Sequence, residues 1–155
     1  MSEQQTLGES SALTDERVSV AIVDDHDAIR LGFRAACDEY NFELLASAPS
    51  VDALMQTIGD AVPQVVVLDL SLADGSLVED NVTRVRELGS QVLIFSIADK
   101  RNLIRAAIKA GAAAIVPKAQ SMDELASAIR LVANGIYVNN TQTTAAIDSD
   151  LEFKE

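Results

Sequence analysis

Residues 64–69 read QVVVLD: a polar residue, four apolar residues of which three are valine, and an acid. Branching at Cβ favours extended backbone, and a run that is apolar on both sides of the pleat predicts a strand covered on both faces. Similar runs stand at 18–24 (VSVAIVD), 42–48 (FELLASA), 91–96 (QVLIFS) and 113–117 (AAIVP), so five strands are predicted. Between them, apolar residues recur at helical spacing, as Ile29, Phe33, Ala36 and Tyr40 and then within 50–59, 77–88, 99–110 and 121–134. The last helix is the best marked. Ser121 and Glu124 have capping-box spacing, Leu125, Ile129 and Val132 form an apolar stripe, and Gly135 can close the end. Strands alternating with helices imply right-handed crossovers and a parallel, doubly wound α/β sheet, which binds ligands beyond the carboxyl ends of its strands.

The chain has 155 residues, enough for one domain with tails. A hydrophobic content of 48% excludes a wholly disordered chain, and no apolar run is long enough to cross a bilayer, so a globular protein with no membrane partner is expected. Asp and Glu number 24 against 12 Lys and Arg, a net charge of −12 that repels nucleic acid; no nucleic-acid binding is expected of this chain alone. Residues 1–17 are polar and without period and read as a disordered N-terminal tail; the folded domain is placed at 18–135 and a linker at 136–155. The single Cys37 cannot form an internal disulfide and reads as a small buried thiol within the first helix. The start MSEQQTLGES lacks the basic and apolar regions of a secretory signal, so a cytoplasmic location is expected.

Polar residues gather where the strands end. Strand one ends in Asp24 and Asp25, strand three in Asp69, strand four in Ser96, and Lys118 follows strand five. Taken singly each is an ordinary cap or solvated group; five at adjacent strand ends form a constellation. Three carboxylates packed together repel one another unless a cation neutralises them, and an oxygen-only set suits Mg²⁺. With that charge screened, Asp69 can attack a phosphoryl group while Lys118 stabilises its oxygens, giving an aspartyl phosphate.

At these residues the chain resembles the receiver domains of two-component response regulators, the CheY-like family, over roughly residues 18–135. The motifs are AIVDDHDAIRLGF, VVVLDLSLADGS, LIFSIAD and AGAAAIVPKAQSMDELASAIRLVANG, with 44 residues from Asp25 to Asp69, 27 from Asp69 to Ser96 and 22 from Ser96 to Lys118. The resemblance implies a flavodoxin-like (βα)5 three-layer sandwich with strand order 2-1-3-4-5. It also implies that Asp24, Asp25, Asp69 and the Ser71 carbonyl hold Mg²⁺, that Asp69 is the phosphoacceptor, that Ser96 turns toward the phosphoryl group and that Lys118 pairs with it. The phrases DDHDAIRLGF and DLSLADGS are most similar to the NarL/LuxR-type branch. That likeness implies a sensor histidine kinase as donor, a homodimer through helices one and five, and control of transcription through a helix-turn-helix output domain beyond residue 155. No enzymatic turnover is implied apart from self-directed phosphoryl transfer and autodephosphorylation.

Rival readings carry less. In a phosphatase of the haloacid dehalogenase kind an acid would stand at position 71, where this chain has Ser71, and no G-x-G-x-x-G turn for a nucleotide follows strand one. The alternative retained is a stand-alone or phosphorylation-independent receiver acting as a protein-interaction module. It rests on two departures from the family pattern: Ile115 replaces the usual aromatic, and the bulky Ile97 adjoins Ser96. Pro117 precedes Lys118 rather than following it, and Ala73 stands where a proline is frequent. His26 is read as packing or capping the first helix. Helix four carries Lys100, Arg101, Arg105 and Lys109, and Leu131 is expected on the outer face of helix five.

Overall fold

The computed structural model describes residues 17–97 and 100–139. The expected N-terminal tail up to residue 16, the linker from 140 onward and the predicted start of helix four at 99 lie outside the described residues. Strands β1 (Val18–Val23), β2 (Phe42–Ala48), β3 (Val65–Leu68), β4 (Gln91–Ser96) and β5 (Ala114–Pro117) alternate with helices α1 (Asp27–Glu39), α2 (Val51–Ile58), α3 (Val78–Leu88), α4 (Arg101–Ala110) and α5 (Met122–Ala133). All strands pair in parallel, and β1 to β5 take the order 2-1-3-4-5. One element was not foreseen. Val138–Asn139 forms a two-residue β6 beside β5, inside the stretch read as linker, with Val138 N–H donating to the Ala113 carbonyl at 2.8 Å.

Side chains alternate across the sheet and divide the core into two layers. Ala21, Val23, Val66, Leu68, Val92, Ile94 and Ile115 pack against α2, α3 and α4 through residues such as Leu54, Val82 and Ile104. Val20, Ile22, Val65, Val67, Leu93, Phe95, Ala114 and Val116 pack against α1 and α5 through Phe33, Cys37, Leu125 and Ile129. This is the three-layer sandwich expected. Each fully buried Leu, Ile, Val or Phe contributes about 1.5–3 kcal/mol.

Local signals act as read, with two refinements. Gly89 and Gly111 end α3 and α4 at φ 104° and 112°, left-handed backbone that glycine adopts without a Cβ clash. The Ser121 hydroxyl accepts from Glu124 N–H at 3.2 Å, but Glu124 answers the hydroxyl at 3.4 Å rather than closing a reciprocal box on the Ser121 backbone. The corner between α1 and β2 is clamped to α5: the Tyr40 hydroxyl donates to Asp123, Arg130 donates to the Tyr40 carbonyl at 2.5 Å, and its guanidinium lies 5.0 Å from the Phe42 ring centre. On edge strand β2 the pairing slips by one residue, Val20 facing Leu44 and Ala21 facing Ala46, so Leu45 is left without a partner.

Candidate functional site

The parallel ladder continues past the strand ends and fixes where the polar residues point. Asp24 N–H donates to the Ala48 carbonyl and Asp69 N–H to the Val23 carbonyl, each at 3.0 Å, and Lys118 N–H donates to the Ser96 carbonyl at 2.8 Å. Asp24 and Asp69 therefore extend the alternation of Ile22 and Val67, and Lys118 that of Val116, toward the α1/α5 layer. Ser96 extends the alternation of Ile94, toward α4 and Ile115.

Asp24 and Asp69 are 1% and 5% exposed, so the desolvated acids need partners. Lys118 supplies the charge, with Nζ 2.9 Å from Asp24 Oδ2 and 3.4 Å from Asp69 Oδ2. Burial holds the Asp69 carboxyl above its ordinary range, the charge of Asp24 adds to that, and Lys118 pulls the other way. Asp25 completes the acidic group, but its Oδ1 is buried and accepts no hydrogen bond among the described residues. An anionic oxygen left without a donor fits a cation ligand. One atom each from Asp24, Asp25, His26 and Asp69 lies within 4.8 Å of the others, so the group can hold a metal ion, and the hard carboxylate oxygens suit Mg²⁺.

His26 departs from its reading as a packing or capping residue. Its backbone occupies the N-cap position of α1, but the side chain makes no cap bond and is 64% exposed. The imidazole instead meets the acids: Nδ1 is 2.8 Å from Asp24 Oδ1, where it forms a hydrogen bond, 3.1 Å from Asp25 Oδ1 and 3.9 Å from Asp69 Oδ2. Its place directly after Asp25 was the available signal, and the hydrogen bond from its own N–H to Asp24 Oδ1, 2.9 Å, turns the ring inward.

The remaining residues frame this group. The buried Ser96 hydroxyl donates to the Ile97 carbonyl at 3.5 Å, and Ile97 itself is exposed. Ser71 lies two residues beyond Asp69, exposed in the β3–α3 loop. Farther along that loop, Asp74 Oδ1 accepts from Ser76 N–H at 3.0 Å and from its hydroxyl at 2.6 Å, and the buried Asn81 donates to Ser76 Oγ at 2.9 Å. This chain of bonds, absent from the sequence reading, braces the loop. Cys37 is buried and its thiol is pushed up to about 11, chiefly by that burial, which suits a packing residue.

Comparison with known proteins places this geometry. Residues 20–130 match the family model for the response regulator receiver domain. The DNA-binding transcriptional activator DevR/DosR of Mycobacterium tuberculosis is 32% identical over 138 residues, 86% of this chain and 63% of the relative. The transcriptional regulatory protein DegU of Brevibacillus brevis is 26% identical over 127 residues, 79% of this chain and 53% of the relative. The chain thus spans between half and two thirds of these relatives. Among solved structures, the signal receiver domain of the NarL response regulator from Mycobacterium tuberculosis superposes with a TM-score of 0.69 at 28% identity, over 77% of this chain and 98% of that one. A LuxR-family response regulator from Aurantimonas shares the fold, with a TM-score of 0.76 at 22% identity over 87% and 98% of the two chains.

Proposed function

The chain belongs to the response regulator receiver domain family, and from that premise we propose that it takes a phosphoryl group on Asp69 from a sensor histidine kinase and switches an output that controls transcription. The carrying observation is the convergence of Asp24, Asp25, Asp69 and Lys118 at the carboxyl edge of the sheet. Asp24, Asp25, Asp69 and the Ser71 carbonyl would hold Mg²⁺, which supplies charge neutralisation for phosphoryl transfer. An Asp69 carboxylate oxygen forms the O–P bond as the N–P bond of a phosphohistidine breaks, the leaving imidazole keeping the electron pair and taking a proton. Lys118, already 3.4 Å from Asp69 Oδ2, pairs with the added charge, and Ser96 turns from the Ile97 carbonyl to donate to a phosphoryl oxygen.

Output follows through a helix-turn-helix domain beyond residue 155, as the relatives' greater length supports. Among the described residues no helix is long and apolar enough to cross a membrane; the family membership supports a cytoplasmic place of action. Phosphorylated copies pair through α1 and α5, which present Leu31 and Leu131 at 66% and 41% exposure. Sedimentation with and without phosphodonor tests the pairing: a second, heavier species with phosphate is expected, and a monomer in both conditions at tens of micromolar would refute it.

The central test is acetyl phosphate with Mg²⁺, read by intact mass. One added phosphoryl group is expected, lost in Asp69→Asn and on chelation. Undiminished labelling of Asp69→Asn would overturn the site.

A further inference from the structure

Oxygen donors carry the Mg²⁺ reading, yet the group also contains one nitrogen. His26 Nδ1 is 2.8, 3.1 and 3.9 Å from oxygens of Asp24, Asp25 and Asp69, and the four ligand atoms lie within 4.8 Å of one another. A transition-metal dication holds imidazole nitrogen and carboxylate oxygen at about 2.0–2.2 Å, so ligand atoms around one ion stand about 3–3.4 Å apart when adjacent and about 4.2 Å apart when opposite. The 2.8–3.9 Å separations about Nδ1 bracket that range, and the widest pair in the group needs to close by about half an ångström or more to enclose an ion. The ring is free for that adjustment, being 64% exposed and unused by the α1 cap. The buried Asp25 Oδ1 accepts no hydrogen bond among the described residues, although Nδ1 stands 3.1 Å away.

Mg²⁺ favours oxygen and keeps its waters, whereas imidazole suits the later first-row dications. Resting on the cation site proposed above, we propose that His26 is a metal-selectivity residue: its Nδ1 ligates Co²⁺, Ni²⁺ or Zn²⁺ beside Asp24, Asp25 and Asp69, and yields to water when Mg²⁺ binds. Ligation needs the tautomer with the proton on Nε2, on the solvent side of the ring. The site then prefers the softer ions by more than its three carboxylates alone provide.

Calorimetric titration of the metal-depleted full chain with MgCl₂ and ZnCl₂ tests this in the native protein, His26→Ala and His26→Asn. The Zn²⁺/Mg²⁺ affinity ratio falls about tenfold or more in both variants, at least the loss seen for a metal-ligand supporting group. Using the ratio cancels any shared effect of losing the Asp24 hydrogen bond. His26 is the only histidine in the chain, so its ring nitrogens give unambiguous ¹⁵N signals; Zn²⁺ shifts Nδ1, and Mg²⁺ does not. Mg²⁺ binding that requires Asp25, together with an unchanged ratio or an Nδ1 signal unmoved by Zn²⁺, overturns the selectivity role alone. Failure of the native chain to bind Mg²⁺ overturns the cation site and this role with it.

Discussion

Replacing Asp25 by asparagine should stabilise the metal-free domain while removing its response to Mg²⁺. The Asp25 carboxylate has a buried oxygen without a hydrogen-bond donor, and its ligand atom lies no more than 4.8 Å from those of Asp24 and Asp69. At an effective dielectric of about 20, each such like-charge pair costs about 3.5 kcal/mol at 4.8 Å and more at shorter range, offset in large part by Lys118 and His26. Leaving an acceptor unsatisfied adds about 1–3 kcal/mol, of which the neutral amide retains a part. A net gain of about 1–2 kcal/mol follows, equivalent to about 2–8 °C in Tm for a chain of this size. With Mg²⁺ at a hundred times its Kd the native domain gains about 2.7 kcal/mol, which the variant, lacking one ligand, loses in large part. Urea unfolding followed by circular dichroism, in chelator and in saturating Mg²⁺, should therefore show the stability order of the two proteins inverting. A variant less stable than the native domain in chelator, or one that gains as much from Mg²⁺, would refute the reasoning.

Acidity should report the same crowding at Asp69. Its carboxyl is held above the ordinary 3.8, first by burial and then by Asp24, so the folded state binds the proton more tightly than the unfolded one. Stability thus falls as pH rises through the window above 3.8; in chelator, Asp69→Asn flattens that part of the curve of urea midpoint against pH, and an unchanged slope would remove Asp69 as its source. For signalling, Ser96→Ala should keep labelling at Asp69 but weaken the response of residues 97–110, because Ser96 lies in the α4-facing register with Ile94, Ile104 and Ile115. Ile115→Val should leave both nearly unchanged, and amide exchange with and without phosphodonor would show a reversed pattern if Ser96 were not the principal switch.

Most of the architecture was legible because the chemistry of each element is written in its own residues. The β-branched runs ending at Val23, Leu68 and Ser96 give strands with nearly the predicted bounds, and Leu125, Ile129 and Val132 are all buried as the stripe required. The convergence of Asp24, Asp69 and Lys118 followed from strand order, since parallel neighbours bring their carboxyl ends to one edge. What escaped was of two kinds. A two-residue strand such as Val138–Asn139 is too short to show any period, and depends on the backbone of β5 rather than on its own side chains. The His26 ring and the Asp74–Ser76–Asn81 chain depend on rotamers and loop backbone, which no spacing rule encodes.

The slip at Leu45 bears on how such a molecule survives crowding. A sheet ending in a straight, fully paired strand invites a neighbour to add to it and grow a fibril. Among the described residues one margin is β2, whose pairing with β1 shifts by one residue at Leu45 and which carries the exposed Glu43, and the other is the two-residue β6. Neither offers a template for a further strand. An irregular margin of this kind keeps the backbone of the sheet from seeding growth by strand addition.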